Sequence, residues 1–152
     1  MQNYGYACIN MGFSNRPKSQ RITTNRTMIK RTFKERGIKY ASELALQNIR
    51  DLRKILQWNL ENDIYFYRLS SDILPWASEY ELTDMPDYGA IHAAALSAGN
   101  FARQHNMRIT SHPGPFNKLA SPKERVFQLT ATDLKVHADL FDLIGLPRTP
   151  YA

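Results

Sequence analysis

Three short extended runs separated by long stretches of helical periodicity constrain this chain more than any other feature. The first is Tyr4-Gly5-Tyr6-Ala7-Cys8-Ile9, followed by the breakers Asn10 and Gly12; the second is Ile64-Tyr65-Phe66-Tyr67-Arg68-Leu69, followed by Ser70-Ser71-Asp72. The third, Met107-Arg108-Ile109-Thr110-Ser111-His112, meets Pro113-Gly114, which cannot continue a ladder. Between them the period changes. Leu44, Ile49, Leu52, Ile55, Leu56 and Leu60 recur at helical spacing over about residues 42–62, with Ser42 as the expected cap. Ile91, Ala94, Ala95, Ala98, Phe101 and Ala102 do the same over about residues 88–105. Ser121-Pro122-Lys123-Glu124 has the form of a capping box with proline at the first helical position, and Val126, Leu129, Leu134, His137, Leu140, Phe141 and Ile144 carry that helix to a stop at Gly145. A shorter helix is expected from Thr24-Asn25-Arg26-Thr27 to about Lys34, stopped by Gly37, and the tail after Leu146 reads as irregular.

Strand, helix, strand, helix, strand, helix implies parallel strands joined by right-handed crossovers. The expected fold is therefore α/β, a partial TIM-barrel-like (β/α) fold with about three parallel strands and flanking helices, in a single domain over residues 1–152. A closed eight-stranded barrel takes roughly 200 residues or more. The half-barrel expected here leaves a sheet edge that must be paired, covered or charged. Asn10, then Ser70, Ser71 and Asp72, then His112 all follow strand C-termini, the edge on which barrel-type α/β proteins assemble their active sites.

Composition narrows the function classes. Hydrophobic residues make up 43% of the chain, enough for a core, and no apolar run reaches the length of ~20 residues that a membrane span needs. The start, Met1-Gln2-Asn3-Tyr4, lacks the basic and apolar regions of a signal peptide, so a cytoplasmic location is expected. Cys8 is the sole cysteine, which excludes an intrachain disulfide and a cysteine zinc cluster. The net charge of +6 favours a polyanionic partner, with a solvated basic surface as the plain alternative. Charge is concentrated in residues 15–36, where Arg16, Lys18, Arg21, Arg26, Lys30, Arg31, Lys34 and Arg36 stand against Glu35 alone.

Several blocks carry a specific resemblance: Gly5-Tyr6-Ala7-Cys8-Ile9-Asn10, Thr24-Asn25-Arg26-Thr27, Asn48-Ile49-Arg50-Asp51-Leu52 with Ile55-Leu56 and Asn59, Tyr67-Arg68-Leu69-Ser70-Ser71-Asp72-Ile73-Leu74-Pro75-Trp76-Ala77-Ser78, and Ser111-His112-Pro113-Gly114 with Ser121-Pro122. In this order they resemble the N-terminal half of the UV damage endonuclease family. The resemblance implies a (β/α)-barrel nuclease that nicks double-stranded DNA 5′ to UV photoproducts and other lesions, using divalent metal ions, commonly manganese. It implies His112 as a metal ligand, with Tyr6 and Asn10 as contacts to the lesion or scissile phosphate. It further implies Asn25, Arg26 and Lys118 as DNA contacts, and an arginine pairs well with phosphate. Structural alternatives stand beside each: a core aromatic for Tyr6, a turn residue for Asn10, a helix cap with a solvated charge at Thr24-Asn25-Arg26-Thr27. His92, His105 and His137 read as structural.

Two departures bear on activity. Glu79 follows Trp76-Ala77-Ser78 where the family commonly has histidine; it could ligate a hard cation or be an ordinary loop glutamate. Pro115 and Phe116 follow His112-Pro113-Gly114 where the family usually has glutamine and an aromatic. Phe116 can still stack or wedge, whereas Pro115 lacks the amide's hydrogen bonds. The readings are thus a UV damage endonuclease needing a complementing C-terminal half or a second copy in a homodimer, a non-catalytic DNA-binding remnant, and a sugar isomerase-like metal barrel, against which the basic charge argues.

Overall fold

The computed structural model describes residues 4–146, and the tail expectation lies outside them. Strands β1 (Gly5–Ala7), β2 (Phe66–Leu69) and β3 (Arg108–Ser111) form a parallel sheet in the order β1-β2-β3. The register sets Tyr6 beside Tyr67 and Tyr67 beside Ile109. Helices α1 (Met11–Ser14), α2 (Lys30–Glu61), α3 (Tyr88–Gln104) and α4 (Glu124–Ile144) follow the strands, with α2 and α3 as crossovers. The strands are shorter than the extended runs but lie within them. This is the expected partial barrel.

Alternation decides which face is the core. Tyr67, Leu69 and Ile109 point toward the helix layer and are buried with Ile49, Leu52, Ile55 and Leu56 of α2, Ile91, Ala95, Ala98 and Ala102 of α3, and Leu140, Leu143 and Ile144 of α4. Each large side chain among them contributes about 1.5–3 kcal/mol over its exposed state. The opposite face carries Gly5, Ala7 and Arg108, which are exposed, and Phe66, Arg68 and Thr110, which are half-buried. Arg108 sits with its guanidinium carbon 5.6 Å from the Phe66 ring centre. Tyr67 also ties β2 to the connection between β1 and α2: its hydroxyl donates to the Cys8 carbonyl at 2.9 Å and lies 3.1 Å from that of Thr24.

The long helices all end in the same device. Ile64 N–H donates to Asn59 O, Met107 N–H to Ala102 O and Leu146 N–H to Phe141 O, each paired with a bond of shorter span, around left-handed Asp63, Asn106 and Gly145. These are Schellman motifs, and the first two turn the chain directly into β2 and β3. Three expectations about helix starts change. Ser42 is not a cap but lies wholly buried inside α2, donating to the Asp87 carboxylate at 2.8 Å and accepting the Asp87 N–H at 3.0 Å. Residues 24–28 are loop, and the helix begins at Lys30. At α4 the capping residue is Lys123; Ser121 accepts the Lys123 N–H at 3.2 Å, an ST-type turn in place of a capping box. The break expected at Gly37 is present as a kink inside α2, with φ 64°.

Gly99 allows α3 to meet the end of α4. A Cβ there would come 1.7 Å from the Ile144 carbonyl oxygen, which is backbone and cannot swing away. Gly99→Ala is expected to destabilise the chain by about 1–3 kcal/mol through overpacking, seen as a lower urea midpoint at unchanged slope. An unchanged midpoint would mean that α3 and α4 separate at no cost.

Candidate functional site

Three of the segments at the C-terminal edge of the sheet are each tied down by polar groups of a helix. After β1, Asn10 is 3% exposed and donates from Nδ2 to the Tyr6 hydroxyl at 2.7 Å, while that hydroxyl donates to Asn59 Oδ1 at 2.6 Å. Tyr6 also meets Tyr67 edge-to-face at 5.1 Å. Burial raises the Tyr6 phenol above its ordinary value, opposed in part by its two amide partners. Its hydroxyl is thus neutral at physiological pH and engaged in both directions, so it is a positioning group for Asn10. The Asn10 side-chain Oδ1 is buried without a hydrogen-bond partner among the described residues. It can accept one more hydrogen bond.

The second loop, residues 21–28, is pinned to α2. Asn48, wholly buried, accepts the Arg26 N–H at 3.0 Å and donates to the Arg26 carbonyl at 2.9 Å and the Ile73 carbonyl at 3.1 Å. The Arg26 guanidinium pairs with Asp51 at 2.7 Å and donates to the carbonyls of Thr23 at 2.7 Å and Arg21 at 2.6 Å. Lys54, at 2.8 Å, and the Thr23 N–H, at 3.2 Å, complete the buried Asp51 carboxylate. Trp76 donates to the Met28 carbonyl at 2.9 Å and stacks on Phe33 at 5.1 Å, joining the loop after β2 to the same assembly. Asn10, Asn25 and Arg26 line one cleft of about 630 Å³, rimmed by Lys18 and Arg21.

The third loop follows β3. His112 is exposed at the strand tip. Residues 114–117 form a turn closed by the Asn117 N–H to the Gly114 carbonyl at 3.2 Å, and Phe116 projects from it 86% exposed. Glu79, itself exposed in the 3-10 turn Ala77–Glu79, lines a second cleft of about 1280 Å³ together with Phe116 and Lys118. His137 is buried on α4, with Nε2 3.8 Å from Asp133 Oδ2 and Nδ1 without a hydrogen-bond partner among the described residues. Burial pushes its imidazole down, with a smaller upward pull from Asp133 and a downward one from His112.

The candidate residues therefore fall into two groups, Tyr6, Asn10, Asn25 and Arg26 on one side and Glu79, Pro115, Phe116 and Lys118 on the other, with His112 at the tip of β3. Among the described residues no group of three His, Cys, Asp or Glu side chains could hold a metal ion, so the donors present do not by themselves fit a metal centre. Asn48, Asp51 and Asn59, which hold the first two loops, were not among the expected site residues. Their signal was polarity at positions in step with the apolar stripe of α2.

A family model described as UV-endonuclease UvdE matches residues 2–152. The chain belongs to the UvdE family. A Schizosaccharomyces pombe protein named UV-damage endonuclease is 32% identical over 142 residues, covering 93% of this chain and 23% of that one. A Clostridium perfringens UV DNA damage endonuclease is 31% identical over 138 residues, covering 91% of this chain and 31% of that one. The crystal structure of SacUVDE superposes with a TM-score of 0.79 at 27% identity, over 96% of this chain and 47% of that one. The chain thus spans about half of SacUVDE and less than a third of the two named relatives.

Arg26→Ala removes a charged partner from buried Asp51, which keeps Lys54 and Thr23. We expect a loss of about 1.5–3 kcal/mol in urea unfolding followed by tryptophan fluorescence; an unchanged stability would make the pairing irrelevant to the fold. A second expectation concerns alkali. Burial raises the Tyr6, Tyr67 and Tyr80 phenols above 10.0, so the folded state favours their neutral forms. Their contribution is complete below about pH 10 and is lost as pH rises through the raised folded values. Urea midpoints should hold steady approaching that pH and fall above it; a midpoint that rises there would contradict the assignment.

Proposed function

We propose that this chain is the N-terminal part of a UV-damage DNA repair endonuclease, acting as one domain that binds damaged duplex and contributes to a nick 5′ to UV photoproducts. The UvdE match over residues 2–152 carries the reading. The C-terminal edge supports it, because the exposed cations Arg16, Lys18, Arg21, Lys30, Lys34 and Arg36 belong to the loop after β1 and the first turns of α2, which starts at that edge. Such a rim attracts phosphates at long range and orients a duplex across the loops.

Within this reading each residue has a task set by its surroundings. Asn10 contacts the lesion or scissile phosphate, with Tyr6 fixing the amide's direction. Asn25 meets the backbone from the cleft rim, while Arg26, held by Asp51, gives the loop its shape and adds positive potential there. Lys118 contacts phosphate beside Phe116, which stacks on bases that a lesion has already loosened; Pro115 stiffens the turn beneath it. His112 and Glu79 are offered as two ligands of a divalent metal centre, with manganese as the first ion to test. The other ligands would come from a complementing C-terminal half or from a second copy in a homodimer. Either would also cover the open sheet face and edge. A cytoplasmic location completes the proposal.

The sparse donor set of the described residues favours a second reading, in which the chain binds DNA without cutting it. Manganese calorimetry on the chain, His112→Ala and Glu79→Ala separates the two. Binding lost in both variants supports the nuclease centre, and no binding by the parent supports the non-catalytic module. Both readings predict that log Kobs for duplex DNA falls linearly with log salt, and that Lys30→Ala or Lys34→Ala flattens the slope by about 0.9 for each phosphate contact removed. Salt-independent affinity would sink them together.

A further inference from the structure

Phe116 is one of the most exposed large apolar side chains of the described residues, yet the backbone that carries it is held tightly. Its turn opens at Gly114, runs through Pro115 and Phe116, and closes on Asn117, whose N–H and side-chain Nδ2 both donate to the Gly114 carbonyl, at 3.2 and 3.1 Å. Proline at the second position presets φ, and the third position is the tip from which a side chain projects. Two bonds then fasten the turn to one face of α4. Asn117 Nδ2 donates to Asp133 Oδ2 at 2.5 Å, and the Lys118 N–H donates to Thr130 Oγ1 at 2.9 Å. Thr130 is 2% exposed, so its hydroxyl is fixed by packing and cannot follow a moving loop.

Thr130 and Asp133 lie three residues apart on α4, adjacent on one face. Both bonds fall on the residues immediately after Phe116, so the ring is delivered at a set height above the edge.

We propose that Asn117, Thr130 and Asp133 are positioning residues that pre-form the Pro115-Phe116 turn as a rigid stacking wedge for unstacked bases in distorted duplex. The inference rests on the reading of the chain as a DNA-binding member of its family, and it deepens that reading by naming what aims the wedge. Because Pro115 offers no hydrogen-bond donor, the wedge senses loosened stacking and not base identity. A preformed turn loses little freedom on binding, whereas a loose one must be ordered at the moment of contact. Releasing the clamp therefore weakens binding where the ring inserts, while every cation that meets phosphate, Lys118 included, keeps its charge.

The test uses the chain itself, a duplex containing 2-aminopurine opposite an abasic position, and the same duplex without the lesion. Phe116→Ala measures the wedge; Thr130→Val and Asn117→Ala remove the two anchors, and Thr130→Ser restores a hydroxyl acceptor. The parent is expected to prefer the distorted duplex. Phe116→Ala and the Thr130→Val/Asn117→Ala double variant should each cut that preference roughly tenfold, the scale of one base stacked on an aromatic ring, with the salt slope unchanged and Thr130→Ser near the parent. Amide exchange by NMR reports on the clamp without DNA: Lys118 protection should fall in Thr130→Val at unchanged global melting and return in Thr130→Ser. A double variant that keeps the parent's preference while Phe116→Ala loses it overturns the positioning role. An unprotected Lys118 amide in the parent overturns the clamp. If Phe116→Ala leaves the preference intact, the stacking role of Phe116 is itself wrong and the inference falls with it.

Discussion

The buried carboxamide of Asn48 is the interaction on which the rest of this structure depends. A carboxamide enclosed by apolar neighbours is costly unless its donors and acceptor are matched. Here it matches both backbone groups of Arg26 and reaches the Ile73 carbonyl, so one side chain on α2 fixes the loop before the helix and the loop after β2. Trp76 ties the same two loops a second time through the Met28 carbonyl. Asp51 and Asn59 repeat the arrangement one turn and three turns further along, the first for Arg26 and Thr23, the second for Tyr6. One helix thus serves as core and as template for the site edge. Its apolar positions bury against the strands while its polar ones set the loops.

This division explains why a short sheet is enough. Strands of three or four residues contribute few ladder bonds, and the ladder alone would specify register weakly. The Schellman turns at Asp63 and Asn106 feed the chain into β2 and β3 within a few residues of each helix end, which leaves little room for slippage. The tyrosine pair adds to this. Tyr6 and Tyr67 are in register, and their hydroxyls reach in different directions, one to Asn59 and the other to the loop at Cys8 and Thr24.

Much of this was legible in the residues and the remainder had a physical reason to be hidden. Strand order, helix alternation and the Gly145 stop follow from local periodicity and turn chemistry, which a single sequence carries. The site edge was legible as a place, because Asn10, Asp72 and His112 each follow a strand. What holds the edge was not. Ser42 has the chemistry of a cap, but its partner Asp87 lies 45 residues away, and burial beside that carboxylate made the serine an interior residue. Arg26 read as a free cation because Asp51 is distant in sequence and close only after α2 docks. Ser121 kept the local preference of its motif for a backbone N–H, while the helix began two residues later than a capping box would place its first turn.

The same logic bears on the uncovered face of the sheet. Gly5, Ala7, Phe66, Arg68, Arg108 and Thr110 form a surface too polar to drive association by apolar burial alone and too small in side-chain volume near β1 to fill a core by itself. A partner for this face must bring carboxylates or phosphates to Arg68 and Arg108 and bulk to the strip beside Gly5 and Ala7. The remaining strands of a barrel can supply both, since inward positions of neighbouring strands interleave in layers. A helix packed from outside could supply bulk but would leave the parallel edges of β1 and β3 without hydrogen-bond partners. Within the proposed reading, strands from a complementing half or a second copy suit this face and these edges better than an outer helix.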